Sequence, residues 1–508
     1  MFSFNAKKTI TVGFIGLPFF ILLFWFYAKI FQFQYLNEAF PDGIATLQLS
    51  RGWLEGRPLL YDTYTGYHAL QHNYYFILLT GCITKFAGIY GLFIAYLGLL
   101  ALFLGKWSYW IRRHHPHNWR NEWTAVAFLA VGPVAFHIFW DYLGWHPEQY
   151  FTPLMCLFAF SLARRQRIEA IFWGFLTLTV KETSPVLICG LLVFASVVSS
   201  SIKHPYLSWQ KHYLKRRNGL IVLGCLALFC LGMWWLSYLN GPKPSRLNAI
   251  FTHLQQHGSL LKWLFYTLVL TALSSIAVLY ASLPFVAWLR ITPKPWIVFG
   301  ALVGGAGILC FVLYVEGLYY FPLLNSGLRY PPRIGSLWGF MMSCYVFGVV
   351  RWTEAGFKPP ASQQEWTLFW GLSQFVFSLV LVSNNQAQLQ NINDAQKNLQ
   401  FISTYKIGIR PYPNHPQKQL YELALKLPTG AEVMCEKEYL SIFQRVYATS
   451  WSWKNRPPFL GRPLLYIYDK RKLLSHTGYI FPKTGYITIP NDDVLILADT
   501  IWYNQHYK

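Results

Sequence analysis

The chain has 508 residues, enough for several soluble domains, but 54% of them are hydrophobic, 19% aromatic and only 13% charged. Soluble proteins carry about 25% charged residues, so this composition excludes an ordinary soluble enzyme and predicts a polytopic α-helical membrane protein. The net charge of +22 comes from Lys and Arg clusters in short loops between apolar segments. That pattern is typical of cytoplasmic loops and argues against nucleic acid as a partner.

The apolar segments and the basic loops between them predict about eleven membrane-spanning helices within residues 1–384. Lys7 and Lys8 precede the first segment and place the N-terminus in the cytoplasm. A shorter apolar stretch, residues 73–84, is predicted to dip into the membrane without crossing it. The predicted spans are residues 9–30, 86–106, 122–142, 149–163, 168–183, 184–202, 218–240, 260–289, 296–318, 334–350 and 366–383. An odd number of spans makes the C-terminus extracytoplasmic.

The first outer loop, residues 31–72, is too polar to span a bilayer and carries much of the candidate chemistry. The spacing of Leu47, Leu49, Trp53 and Leu54 predicts a helix along the membrane surface, charged on one side. The candidate side chains of this loop are Asp42, Glu55, Asp62, Arg51, Arg57, His68 and His72.

Several of these residues have a structural interpretation beside the functional one. Asp42 stands in Pro-Asp-Gly, which is a turn sequence in its own right. Glu55 and Arg57 fit a surface ion pair around a second turn, and that interpretation is favoured for them. His68 and His72 are four residues apart and share one face if they are helical. A structural or substrate-contacting pair is favoured over a metal site there, because no HExxH-type glutamate is near.

Two further groups lie at the predicted outer ends of helices. Asp141, His146 and Glu148 fall within eight residues and stand beside tryptophans, which fits either a lined pocket or an ordinary interfacial position. Lys181 and Glu182 stand between two apolar stretches, where an ionisable pair is costly and predicts a functional site. A mutual ion pair at a tight outer turn is the alternative for these two residues.

Arg329 and Arg333 add fixed positive charge on the same predicted side, and guanidinium groups bind phosphate oxygens bidentately. Solvated arginines beside lipid headgroups are the alternative. Carboxylates, cations and aromatic rings next to lipid together predict an enzyme that takes a lipid-linked phosphate donor. A carboxylate would act as general base on an acceptor hydroxyl, and cations would stabilise the departing lipid phosphate.

The composition changes after residue 384. Residues 385–414 are polar and predict a linker or amphipathic helix, and residues 415–508 predict a small extracytoplasmic α/β domain. Within that domain the pattern predicts strands at 431–436, 464–469 and 492–499 and a helix at 417–427.

Several short motifs resemble, in the same order, those of the DUF2079 membrane proteins. They are PDGI (41–44), GRPLL (56–60), HNYYFILL (72–79), WHPEQYFTPL (145–154), VKETSPVL (180–187), LPTGAEV (427–433) and VLILAD (494–499). Two positions depart from the family's pattern. Thr46 stands where a second acid is expected, and Thr183 replaces the last acid of a Lys-Glu-Asp motif.

DUF2079 proteins are placed with the GT-C glycosyltransferases. The resemblance therefore implies an inverting transferase that uses a polyprenyl-phosphate sugar, with an acidic catalytic residue in the first outer loop and a glycan, lipid or protein as acceptor. Carried over by motif, the functional positions are Asp42, His72, His146, Glu148, Lys181 and Glu182. Asp42 is the first choice for the base, with Asp62 and Glu148 behind it. A divalent-metal requirement stays open.

Two other classes of function stay open as well. A transporter or flippase for a lipid-linked or anionic substrate would place ionisable residues near the bilayer midplane, within two related halves. The acids here gather at one predicted face and the sequence shows no internal repeat, which favours the enzyme. A structural membrane protein with a soluble outer domain would tolerate replacement of the loop acids.

Overall fold

The structure is a computed structural model, in which part of the chain is described. The described residues are 23, 41–63, 66–67, 72–116, 123, 126–127, 130, 145–203, 216–239, 331–356, 418–436, 439–440, 442–443, 445–450, 461–470, 473, 482, 484–492 and 494–506. Apart from a few isolated positions, the predicted linker and five predicted spans lie outside these residues. Those five spans are 9–30, 122–142, 260–289, 296–318 and 366–383.

The helices follow the apolar segments of the sequence. They are α1 (Pro41–Arg51), α2 (Gly81–Ala87), α3 (Tyr90–His114), α4 (Phe151–Ala163), α5 (Arg167–Leu178), α6 (Ser184–Lys203), α7 (Arg216–Leu239), α8 (Pro331–Glu354), α9 (Lys418–Lys426) and α10 (Thr500–His506). Among the described helices, α3 has the length and apolar composition to cross a membrane. Helices α3 to α8 each fall on a predicted span, and their crossing of a membrane stays a prediction.

Helices α4 and α8 pack side by side and run in parallel. Near the start of both, Gly339 lies against Thr152, and a Cβ at Gly339 would come 2.8 Å from the Thr152 hydroxyl. Close packing therefore requires a residue without a side chain at position 339. At the other end, Arg164 Nε lies 3.8 Å from Glu354 Oε1. The amino termini of α4 and α8 therefore lie at the same end of the bundle.

The two ends of the bundle carry different loops. The end where α4 and α8 terminate gathers residues whose loops are predicted to be cytoplasmic: Lys106 binds Glu169, and Arg351 Nη1 lies 3.5 Å from Glu354 Oε2. The opposite end holds ionisable residues from the loops predicted to be extracytoplasmic. Residues assigned to one side of a membrane by sequence thus lie together in space.

A 3₁₀ turn at Pro147–Tyr150 leads into α4 and is fixed by aromatic packing on α3. The Trp145 ring is buried, with its centroid 4.8 Å from that of Phe93 and 5.5 Å from that of Tyr150. The Tyr150 hydroxyl donates a hydrogen bond to the Leu92 carbonyl oxygen at 2.7 Å. These contacts hold the backbone around Glu148 in one position.

Helix α1 begins at Pro41, and a fixed φ angle together with a missing N–H suits proline to the first turn of a helix. The Pro-Asp-Gly sequence therefore starts a helix, and its interpretation as a turn is wrong. Residues 43–51 are all buried, so the prediction of a helix lying along the membrane surface is wrong as well. Its polar residues face protein instead, as the contacts of Gln48 show: its side-chain amide donates to the Ala448 carbonyl oxygen at 3.1 Å.

The chain then makes a tight passage from α1 to α2. A 3₁₀ turn at Gly52–Glu55 ends at Gly56, whose φ of 78° lies in the left-handed region that favours glycine. Two short strands follow, β1 (Tyr61–Asp62) and β2 (Gly66–Tyr67), which pair antiparallel. A second 3₁₀ turn, Tyr75–Thr80, packs against α1 and continues into α2.

The C-terminal domain contains a five-stranded mixed sheet. Its strands are β3 (Glu432–Cys435), β4 (Tyr447–Ser450), β5 (Leu465–Asp469), β6 (Tyr486–Ile489) and β7 (Val494–Asp499). The strand order is β4-β3-β5-β7-β6, with β3 parallel to β4 and β5, and with β7 antiparallel to β5 and β6. Strands β3, β5 and β7 and helix α9 lie at the segments predicted for them, whereas β4 and β6 were not predicted. Strand β4 forms one edge of the sheet and lies next to α1.

Candidate functional site

Glu148 lies at the centre of a buried polar group formed by three distant segments. Its Oε1 accepts hydrogen bonds from the Lys181 ammonium at 2.8 Å and from the Tyr74 hydroxyl at 2.7 Å. The side chains of Glu148 and Lys181 are 8% and 12% exposed. A buried carboxylate of this kind is tolerated only when it is paired and hydrogen-bonded.

The second carboxylate of this group, Glu182, binds the segment that precedes Tyr74. His72 Nδ1 lies 2.7 Å from Glu182 Oε1, and the Asn73 backbone N–H donates to Oε2 at 3.0 Å. Because an ionised carboxylate only accepts hydrogen bonds, the proton of this contact lies on His72 Nδ1. The His72 ring also stacks on Tyr74, with centroids 4.8 Å apart. We call His72, Tyr74, His146, Glu148, Lys181 and Glu182 the Glu148 cluster.

The surroundings of Glu148 keep it ionised. Burial acts to raise the pKa of this carboxyl, but the Lys181 ammonium and the nearby His146 and His72 rings outweigh burial and hold the pKa well below its ordinary value of 4.5. Glu148 is therefore a carboxylate at neutral pH, and a strongly depressed pKa makes it a weak proton acceptor.

One oxygen of Glu148 has no hydrogen-bond donor among the described residues. Glu148 Oε2 is buried and accepts no hydrogen bond from the described residues. His146 Nδ1 lies 4.0 Å from this oxygen, which is too far for a hydrogen bond. Since a buried carboxylate oxygen gains from a donor, this position suits a substrate hydroxyl group.

The break between α5 and α6 presents Lys181 and Glu182 to the cluster. The Thr179 carbonyl oxygen accepts a hydrogen bond from the Phe76 N–H at 2.8 Å, which joins this break to the turn after Tyr74. The Ser184 hydroxyl accepts the Lys181 backbone N–H at 3.2 Å at the start of α6. The two ionisable side chains leave the break toward different partners, so the mutual ion pair between Lys181 and Glu182 is wrong as an interpretation.

The cluster brings together five of the residues singled out from sequence. These are His72, His146, Glu148, Lys181 and Glu182. The predictions for His68, Asp141 and Arg329 lie outside the described residues. For Asp42 and Arg333 the structure describes the backbone alone: both lie in the first turn of a helix, α1 and α8 respectively.

Helix α1, which has Asp42 in its first turn, contacts the segment that leads into the cluster. Thr46, one helical turn after Asp42 and about 6 Å further along the axis, donates its hydroxyl hydrogen to the Trp145 carbonyl oxygen at 3.1 Å. Trp145 directly precedes His146. A carboxylate at position 46 could not make this bond, because an ionised carboxylate cannot donate to a carbonyl oxygen. Asp62, the second choice for a base, is fully buried in β1.

Glu55 and Arg57 do not pair with each other as the sequence interpretation has it. Glu55 Oε1 lies 3.4 Å from Arg51 Nε, and Arg57 Nη1 lies 2.6 Å from Glu432 Oε1. Both arginines and both carboxylates are largely buried, so these are contacts between parts of the chain rather than surface pairs.

Sequence reasoning missed Tyr74 and Asn73 as members of the site. Both lie in the HNYY stretch that was singled out for His72 alone. The signal that could have identified them is the demand of two buried carboxylates for hydrogen-bond donors, which adjacent hydroxyl and backbone N–H groups meet.

Among the residues that the structure describes, no group of three or more His, Cys, Asp or Glu side chains is arranged to hold a metal ion.

Comparison of the chain with known protein families, with curated proteins and with solved structures finds no match. The resemblance to DUF2079 proteins thus depends on the motifs quoted above. Three of those motifs, at 72–79, 145–154 and 180–187, meet in the Glu148 cluster.

Proposed function

We propose that this protein is a membrane glycosyltransferase that moves a sugar from a polyprenyl-phosphate-linked donor to an acceptor hydroxyl at the extracytoplasmic face, with inversion. The observation that carries the proposal is the convergence of three sequence-distant motifs on one buried ionic cluster. Helix α1, which has Asp42 in its first turn, is bonded through Thr46 to Trp145, the residue before His146. Buried ionisable groups brought together from separate loops are typical of functional sites.

The surface of the helical part supports a membrane location. On α5 the side chains of Ile168, Ile171 and Phe175 are 85%, 73% and 62% exposed among the described residues. Helix α7 presents a longer apolar surface that includes Leu223 and Trp234. Apolar patches of this extent on a protein surface indicate contact with lipid or with another protein.

The distribution of charged residues supports the predicted orientation. Lys106, Arg164 and Arg351, from loops predicted to be cytoplasmic, lie at one end of the bundle, and the Glu148 cluster lies at the other. The C-terminal domain contacts α1, so both belong on one side of a membrane, as their predicted extracytoplasmic location requires.

In the proposed reaction, Asp42 takes the proton of the acceptor hydroxyl while that oxygen attacks the anomeric carbon of the donor sugar. The bond from this carbon to the phosphate oxygen breaks at the opposite face, and the electron pair leaves with the polyprenyl phosphate, which inverts the anomeric centre. Glu148 Oε2 would accept a hydrogen bond from a sugar hydroxyl. Asp42 is preferred as the base because Glu148 has a strongly lowered pKa and Asp62 is fully buried.

Positive charge for the departing phosphate has two sources near the cluster. Arg333 lies in the first turn of α8, and the amino terminus of a helix favours anions. Because α8 runs parallel to α4, this terminus lies at the same end of the bundle as Glu148. Lys181 supplies the ammonium group of the cluster itself.

The test is sugar transfer by the purified protein in lipid from a panel of polyprenyl-phosphate sugars. Asp42→Asn is compared with wild type and with Asp492→Asn, an exposed acid in the C-terminal domain. Loss of the base is expected to lower turnover by about 10²–10⁴-fold, with folding and donor binding intact, while the control keeps wild-type turnover.

Each result of this test has a defined meaning. Transfer that survives in Asp42→Asn would move the base to Asp62 or Glu148. If no donor in the panel supports transfer, and substrate moves across vesicles that contain the protein, the transporter or flippase would replace the enzyme as the proposed function.

A further inference from the structure

The strongest unexplained feature is a polar interface between the segment 41–63 and the C-terminal domain. Arg57 donates from Nη1 to Glu432 Oε1 at 2.6 Å and from Nη2 to the Gly430 carbonyl oxygen at 2.6 Å. Its guanidinium carbon lies 3.9 Å from the centroid of the Tyr447 ring. A single side chain of the candidate catalytic segment thus makes a charge-assisted, a backbone and a cation–π contact with a domain 375 residues later in the chain.

A second arginine continues this interface. Arg51 pairs with Glu55 and donates from Nη2 to the Val446 carbonyl oxygen at 3.2 Å. The Tyr447 hydroxyl donates to Glu55 Oε2 at 2.6 Å. Burial and this bond to Glu55 raise the pKa of Tyr447, so the hydroxyl keeps its proton and stays a donor.

The remaining contacts involve the edge strand β4. The Gln48 side-chain amide and the Thr63 hydroxyl both donate to the Ala448 carbonyl oxygen, at 3.1 and 2.7 Å. The Thr63 backbone N–H donates to Gln48 Oε1 at 2.8 Å. Exposed edge carbonyls of a sheet normally require a covering element, and here side chains of 41–63 cover them. We call the contact of Gln48, Arg51, Glu55, Arg57 and Thr63 with Gly430, Glu432, Val446, Tyr447 and Ala448 the Arg57 interface.

We propose that the C-terminal domain positions the segment 41–63 for catalysis, with Arg57 as the positioning residue that joins them. The domain is then a fixed support of the candidate base Asp42 rather than an independently moving lid or binding module. The number and depth of the contacts support this role, because Arg57 and Glu432 are 11% and 3% exposed. The inference depends on the proposed transferase activity for its kinetic part, and on the contacts alone for its structural part.

The experiment is a double-mutant cycle of Arg57→Ala and Glu432→Gln in lipid nanodiscs. Amide hydrogen exchange of 41–63 and the kcat and KM for sugar transfer are measured together. Arg462→Ala is the matched control, since Arg462 lies 4.4 Å from the Tyr486 ring and 3.5 Å from Asp499, within the C-terminal domain itself.

Arg57→Ala is expected to raise exchange in 41–63 by about tenfold or more, because charge-assisted bonds that hold the segment are lost. It is expected to lower kcat about tenfold with little change in donor KM, as misplacement of a catalytic group does. Arg57→Lys, which keeps the charge without the fork, is expected to restore part of both losses. The double variant is expected to lose less than the sum of the single variants.

Other outcomes would overturn the inference. Exchange of 41–63 equal in Arg57→Ala, Arg462→Ala and wild type would show that the interface does not hold the segment. Raised exchange with unchanged kcat would show a contact with no positioning role. If wild type transfers no sugar from any donor, the proposed function fails, and the exchange cycle alone then decides whether the domain holds the segment.

Discussion

The Glu148 cluster and the Arg57 interface are both buried ionic networks that join distant parts of the chain, yet they differ in their cations. At the Arg57 interface each of two guanidinium groups contacts a carboxylate and donates to a backbone carbonyl oxygen. In the Glu148 cluster one ammonium and two imidazoles face two carboxylates. Arginine keeps its charge at every relevant pH, whereas lysine and histidine can exchange protons when buried.

The two networks also differ in what they leave for a ligand. At the Arg57 interface, Glu432 Oε1 and Glu55 Oε2 each accept a hydrogen bond from across the contact. Glu148 Oε2, in contrast, is buried and accepts no hydrogen bond from the described residues. A network with satisfied acceptors holds two segments together, and one with an open acceptor can also bind a substrate. This contrast agrees with the two proposals, which give a supporting role to the Arg57 interface and substrate binding to the Glu148 cluster.

The largest effect is expected from Lys181→Met, which leaves the Glu148 carboxylate buried without its ion-pair partner. Such a change costs about 3–5 kcal/mol in the free energy of unfolding. Lys106→Met is the matched control, because the Lys106–Glu169 pair is 27% and 40% exposed and such pairs contribute about 1 kcal/mol or less. Denaturant unfolding of both variants in one detergent measures the difference.

A rescue variant tests the cause of this loss. Adding Glu148→Gln to Lys181→Met removes the unpaired charge and is expected to recover roughly half of the lost free energy. Equal losses in Lys181→Met and Lys106→Met would contradict the central place of the buried pair, and with it the contrast between the two networks.

Tyr447→Phe is expected to have the next largest effect. The change keeps the ring beneath Arg57 but removes the hydrogen bond to Glu55, a bond to a charged acceptor that is worth about 1.5–3 kcal/mol. Amide exchange is expected to rise in 41–63 and to stay unchanged in 145–150, where Glu148 lies. An equal rise in both segments would show that the two networks form one cooperative unit. Tyr486→Phe is the control, because the Tyr486 hydroxyl donates to the Pro463 carbonyl oxygen within the C-terminal domain.

The sequence predicted the elements better than their contacts. Apolar runs located α3 to α8, and β-branched runs located β3, β5 and β7, because both signals are local. The two strands that were not predicted, β4 and β6, form the edges of the sheet. The spacing of Leu47, Leu49, Trp53 and Leu54 predicted a helix along the membrane surface, charged on one side. The polar side chains of α1 meet the edge carbonyls of β4 instead. Periodicity identifies a polar face but not what covers it.

The candidate site was predicted as residues but not as pairs. Neighbours in sequence were paired by proximity, Lys181 with Glu182 and Glu55 with Arg57. Adjacent residues rarely face each other. These side chains therefore bind residues elsewhere in the chain, as Lys181 binds Glu148, 33 residues away. Only the packing of α3, α4 and α5 brings those segments together, and no local pattern contains it.

The last expected effect is a pH dependence that is absent at neutral pH and confined to acid. The pKa of Glu148 in the folded protein lies below its ordinary value of 4.5, so the folded state binds fewer protons than the unfolded state in that range. Its stabilising contribution is complete above pH 4.5 and is lost as the pH falls toward the folded-state pKa, with a slope of up to about 1.4 kcal/mol per pH unit. Unfolding free energies of wild type and Glu148→Gln, measured against pH, are expected to run parallel near neutrality and to converge below that value. Parallel curves throughout acid would mean that Lys181 and the two histidines do not stabilise the carboxylate, and Glu148 would then compete with Asp42 for the role of base.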